Sequence, residues 1–125
     1  MTQHIASALL FLAGLINFLP LFAITSADRI ARAYGIDTSD PNTEILLRHR
    51  ALLFGLLGGF MMLSAFRHAL QPYAIIAGAL SMAGFILLAY LAGDYNDSIR
   101  SIIRADYLAL ALLVAAIALK LLTRN

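Results

Sequence analysis

The sequence predicts an all-α membrane protein: four transmembrane helices in one bundle, with a short interfacial helix between the first and second. Three observations carry that reading. Of 125 residues, 62% are apolar and 13% are charged, against roughly 25% charged in an ordinary soluble domain. A soluble domain this small needs more polar surface than that. The apolar excess is gathered into four long stretches, and prolines and glycines stand at their borders. The length suits one domain over residues 1–125, with spans at about 5–25, 46–66, 72–92 and 106–122.

The first span, Ile5 to Thr25, competes with a cleaved signal peptide. Such a leader needs basic residues and a shorter apolar core. Only Thr2, Gln3 and His4 stand between Met1 and this run, so a retained helix is expected. Ser26 is placed to cap a short helix over Ala27–Tyr34, ended by Gly35. Ala27, Ile30 and Tyr34 share its apolar side, with Asp28 and Arg32 opposite, which fits either an interfacial helix or an ordered loop packed on the bundle.

Asp40-Pro41 opens the second long helix. Asp is a good N-cap, and proline suits the first helical position because its missing N–H is not needed there. The helix can run from Pro41 to Phe66, about 39 Å, against a hydrocarbon core of about 30 Å. Its first turns, with Glu44, Arg48, His49 and Arg50, should therefore lie at or just inside one membrane face. The third span starts at Pro72 and stops at Gly93. Only Arg67 to Gln71 separate it from the second, so the two form an antiparallel hairpin. The fourth helix can begin at Asp97, a plausible N-cap, with Ile99, Ile102 and Ile103 on one face.

Four spans put both termini on the side of the Arg67–Gln71 turn. That side carries Arg67, Lys120 and Arg124 and no acid. The other side carries Arg29, Arg32, Arg48, Arg50, Arg100 and Arg104 with all seven acids. Orientation follows Lys and Arg counts. Six against three favours the mixed face inside, but four against three, with Arg48 and Arg50 set aside as paired in the bundle, decides nothing. The acid-free face fits cytoplasmic termini, and that orientation is adopted.

The segment Glu44-Ile45-Leu46-Leu47-Arg48-His49-Arg50 is the most informative. Arginine near hydrocarbon costs several kcal/mol, on the order of 3, unless paired or wet. Glu44 and Arg48 are four apart and can pair along one face. Arg50 points about 200° from Arg48 and needs another partner. Asp106, at similar depth on the same side, is the first candidate, with Asp94 and Asp97 behind it. In one reading the arginines snorkel and pin the helix depth. In the other, Arg48 or Arg50 binds an anionic headgroup, carboxylate or phosphate, Asp106 holds the guanidinium, and His49 carries a proton.

Asn17 is the strongly polar residue deep in the first span, three before Pro20, and reads as glue to another helix or to backbone that the proline frees. Gly55 and Gly59 form a Gly-x-x-x-Gly, and Gly78, Ser81 and Gly84 line the third span. Such small residues let helices approach closely, with Gly55 and Gly59 expected against the third or first span.

Several classes are excluded. There is no cysteine, hence no disulfide, thiol relay, Cys-ligated zinc or c-type haem attachment. The basic residues are scattered, so nucleic acid is not a partner. No His-x-x-Glu or His-x-x-x-His spacing exists, and His49 and His68 are about 28 Å apart along nearly one helix. Neither metal nor any other cofactor is implied. The first span lacks the glutamate that a small multidrug exporter would want. No nucleophile–base pair can be assembled, which argues against an enzyme.

The string DPNTEILLRHRALLFGLLGGF, with LFLAGLINFLP before it and GDYNDSIRSIIRADYLALALLVA after it, resembles an uncharacterised family of small bacterial integral membrane proteins with four helices in a DoxX-like arrangement. The resemblance covers nearly the whole chain. It implies the fold, a bacterial inner-membrane location and interest in Arg48, His49, Arg50 and Asp106. Some relatives carry the label phosphopantetheine adenylyltransferase, a soluble α/β enzyme with a His-x-Gly-His site, and this chain has neither that motif nor that pattern.

Two functions stay open at this point. One is binding of a small anionic molecule or lipid headgroup at the Glu44, Arg48, His49, Arg50 and Asp106 cluster, in a transporter-like protein. The other is a structural or accessory subunit that assembles with itself or a membrane-protein partner through its glycine seams.

Overall fold

Helices are the whole of the regular structure among the described residues, and local punctuation sets where each begins. The computed structural model describes residues 2–21, 27–37 and 39–123, with backbone alone at residues 27, 30, 33 and 123. Helix α1 is Thr2–Phe18, α2 Ala27–Tyr34, α3 Pro41–Ser64, α4 Gln71–Ala92 and α5 Asp97–Thr123. A 3₁₀ turn continues α1 over residues 19–21, and another, His68–Leu70, precedes α4. Four segments are long and apolar enough to cross a membrane: Thr2–Leu21, Pro41–Ser64, His68–Ala92 and Asp97–Leu122. The end of the expected first span, residues 22–25, and the expected cap at Ser26 lie outside the described residues.

Asp40 caps α3 as expected, accepting the Asn42 N–H at 3.0 Å with Pro41 behind it. Helix α3 stops at Ser64 rather than Phe66. The buried Ser64 hydroxyl donates to the Met61 carbonyl at 2.7 Å, a local bond that competes with helix continuation. Helix α4 opens one residue before Pro72. At α5 the capping side chain is Asn96, not Asp97: its Oδ1 accepts the Ile99 N–H at 2.7 Å, and Asp97 is the first helical residue.

Helix α1 packs between α3 and α5, and α4 closes the ring against the same two. Their shared core holds Leu10, Met61, Met82 and Leu113, one from each long helix. Ser7 near the start of α1 meets Gln71 at the start of α4, and Lys120 near the end of α5 meets it too. Thus α3 and α5 run in one direction, away from α2, and α1 and α4 run in the other.

Helices α1 and α3 cross closely at Gly14 and Gly58. A methyl on Gly14 would lie 2.8 Å from the Gly58 carbonyl oxygen, and one on Gly58 would lie 2.6 Å from the Phe18 backbone nitrogen. Only glycine permits that approach. Of the expected seam residues, Gly55 faces Leu21 and Gly78 faces Met61, while Gly59 and Gly84 have nothing within 4 Å of an added Cβ. The Gly-x-x-x-Gly pattern therefore marks only one of its two glycines as a contact, and the i,i+3 pair Gly55 and Gly58 faces inward instead.

Candidate functional site

The polar site grows from three helix starts brought to one end of the bundle. Arg50 lies nine steps into α3 and Asp106 nine steps into α5. At 1.5 Å per residue each sits about 13 Å from its helix start. Because α3 and α5 run the same way, that equal spacing places them at one depth. The α5 residues Ser98, Ser101, Ile102, Ala105 and Asp106 follow i, i+3, i+4, i+7, i+8 spacing, one continuous face, and all five line a cavity of about 680 Å³. The end of α1 contributes Ile16, Asn17, Leu19 and Pro20, α3 contributes Arg50 and Phe54, and α2 contributes Arg29, Arg32 and Tyr34.

Arg50 is held by aromatic groups. Its Nη1 donates to the Tyr34 hydroxyl at 2.7 Å. Its guanidinium carbon lies 5.0 Å from the Tyr34 ring centre, 4.3 Å from Phe54 and 4.5 Å from Phe85. Rings at such distances attract the cation through their negative faces. Asp106, 7% exposed, lines the same cavity but makes no ion pair with Arg50. The expectation that Asp106 holds the guanidinium is replaced by a cage of three rings.

Two atoms at this site are unsatisfied. Arg50 Nη2 and Asp106 Oδ2 are buried with no hydrogen-bond partner among the described residues. An unmet buried donor or acceptor costs about 1–3 kcal/mol, more when charged, so such atoms in native folds call for an explanation. Here both residues line the same cavity.

Helix α2 is fastened over this end by Asn96. Its Nδ2 donates to the carbonyls of Tyr34 at 3.0 Å and Gly35 at 2.9 Å, while its Oδ1 caps α5. Gly35 has φ +64°, and a Cβ there would come within 2.8 Å of Asn96 Nδ2, so both backbone and space require glycine. Tyr34 is buried beside Ala51, Leu47, Ile99 and Ile102.

Of the residues expected in the cluster, the structure brings Arg50 and Asp106 together and sets the other three apart. Arg48 pairs with Glu44 at 2.9 Å, on a partly exposed face that does not border the cavity. His49 is exposed and is likewise outside it. Asn17 is buried, donates to the Ala13 carbonyl at 3.3 Å and contacts Met82 Sδ on α4 at 3.6 Å, and it also lines the cavity. Sequence reasoning missed Tyr34, Phe54, Phe85 and Asn96 as site residues. For Tyr34 its place on the apolar side of α2 was a usable signal; for Phe85, distant in the chain, there was none.

Among the described residues no group of three His, Cys, Asp or Glu is placed to hold a metal ion. Comparison of the chain with known protein families, curated proteins and solved structures finds no match.

Proposed function

We propose that this chain is a multi-pass membrane protein that binds a small anionic molecule or an anionic lipid headgroup in the cavity between α2 and the long helices. Insertion is supported by where the apolar surface lies. Between 22% and 28% of each apolar window is buried within the bundle, and Leu46, Phe66, Leu80, Leu91 and Leu122 are at least 70% exposed. A bilayer covers that surface, and α2 then lies at one interface with Asp28, Arg29 and Arg32 toward water. We assign the bacterial inner membrane with cytoplasmic termini, on the family resemblance and the acid-free turn side.

The binding reading rests on one observation: Arg50 and Asp106 line one cavity, and each has a buried side-chain atom, Nη2 and Oδ2, with no hydrogen-bond partner among the described residues. Three arginines against one carboxylate line it, so its charge favours an anion. Exposed Arg29 and Arg32 at the mouth can gather a ligand that Arg50 holds inside. Guanidinium donors suit carboxylate and phosphate oxygens. A role as an accessory subunit has its own support, since Gly59 and Gly84 present open, small surfaces on which another helix could close.

Native mass spectrometry from mild detergent separates these. Wild type is expected to retain a molecule of defined mass that folded Arg50→Gln protein lacks. Retention of nothing beyond bulk lipid by either form would overturn the binding reading, and oligomer masses in the same spectra would then favour assembly.

A further inference from the structure

We infer, resting on the binding reading above, that the ligand is an organic anion carrying its own hydrogen-bond donor, a hydroxyl or an ammonium, close to the charged group. Two residues that line the cavity set two demands at once. Arg50 Nη2 is a donor with no acceptor, and Asp106 Oδ2 is an acceptor with no donor among the described residues. Arg50 cannot meet both, because Tyr34 and the rings of Phe54 and Phe85 fix its guanidinium, and no ion pair to Asp106 forms.

A bare anion satisfies only half of this. Its oxygen accepts from Arg50, yet it brings a second negative charge toward a carboxylate left without a donor, and like charges at close quarters oppose each other most strongly where water is scarce. An anion with a hydroxyl or ammonium group places its charge between Arg50 and the mouth arginines, and turns its donor to Asp106. Asp106 is then the residue that reads the ligand, and Arg50 the residue that holds it. Apolar walls from Ile16, Leu19, Phe54 and Ile102 accept the carbon skeleton beside the head. The same chemistry occurs in hydroxylated phospholipid heads and in water-soluble phosphate esters of polyols, and the test distinguishes them.

The test uses the full chain in mild detergent with matched probes. Phosphatidylglycerol and phosphatidylmethanol are both monoanionic phosphodiesters, and only the first carries hydroxyls. Glycerol 3-phosphate and methyl phosphate form the water-soluble pair. Binding is read by native mass spectrometry for the lipids and by melting shift for the soluble pair. Wild type is expected to prefer the hydroxylated member of one pair by about tenfold, the size of one hydrogen bond to a charged group. The pair that is discriminated identifies the source. Asp106→Ala should bring that preference near unity while keeping anion binding, and Arg50→Gln should lose both members. Asp106→Asn retains an acceptor oxygen without the charge, so it should keep a reduced preference, and it serves if the alanine variant does not fold. Equal binding of both members by wild type, as a bridging water would give, overturns the donor requirement and leaves the anion site standing. Binding of no probe in either pair overturns both.

Discussion

The two ends of the bundle each bury polar groups, and they treat them oppositely. At the turn end, Gln71 is 1% exposed and both halves of its amide are used. Its Nε2 donates to Ser7 Oγ at 3.1 Å and to the Ala65 carbonyl at 3.4 Å, and its Oε1 accepts from Lys120. One side chain thereby joins α1, the α3–α4 turn and α5. A cavity of about 530 Å³ lies there too, but the Gln71 and Lys120 groups in it are bonded to each other. At the α2 end, Arg50 and Asp106 share a depth and a cavity, and each keeps an atom unmet. Polar groups that complete one another hold helices together. Polar groups left incomplete around a space lower stability unless something enters it. On the proposed reading, one end serves structure and the other binding.

The heaviest blow to both ends at once is Gly58→Leu. The α1–α3 crossing fixes how the ends are spaced, and the new side chain meets backbone at Gly14 and Phe18 that cannot yield. A loss of about 3 kcal/mol or more is expected, seen as aggregation or a much lower melting temperature, with Gly59→Leu next to it close to wild type. Gln71→Leu tests the structural end alone. Removing its buried amide takes one bond each from Ser7, Ala65 and Lys120, so about 2–3 kcal/mol of stability should go while ligand retention at Arg50 stays intact. Reduced retention with unchanged melting would reverse the assignment of the two ends. Asn96→Ala loosens α2. The lost cap costs about 1 kcal/mol, hydrogen exchange over residues 27–34 should accelerate, and retention should weaken several-fold. Arg48→Ala lies at the bottom of the scale. Its pair with Glu44 is partly exposed, so the change should stay within about 0.5 kcal/mol and leave retention untouched.

Features set by neighbours in the chain are legible in the sequence alone. Pro41, Pro72, Gly35 and Gly93 mark borders because their effects act on adjacent backbone. The Glu44–Arg48 pair follows from helical spacing, and so does its separation from Arg50. The equal distance of Arg50 and Asp106 from their helix starts places them at one depth. Rotation of each helix about its own axis is not legible. It decides that Gly58 rather than Gly59 faces α1, and it follows from packing against residues distant in the chain, Gly14, Asn17 and Phe18. For the same reason Phe85 could not be assigned to the cage, and Asp106 was expected to hold a guanidinium that three rings hold instead. The cap at Asn96 was missed because Asn and Asp are adjacent and both suit the role. What distinguishes Asn96 is its second use, on the Tyr34 and Gly35 carbonyls.

The central claim is that Arg50 and Asp106 form a site and not a brace. The most direct measurement is the stability, in detergent free of anionic lipid, of an Arg50→Met, Asp106→Leu double variant against wild type. Replacing two incompletely paired charges inside the bundle by apolar groups of similar size is often neutral or stabilising by about 1–4 kcal/mol. The account predicts a melting temperature equal to or above that of wild type, together with loss of the retained ligand. A double variant less stable by about 3 kcal/mol or more, at the upper end of ordinary single-mutation losses, would contradict it by showing that the two residues brace the fold.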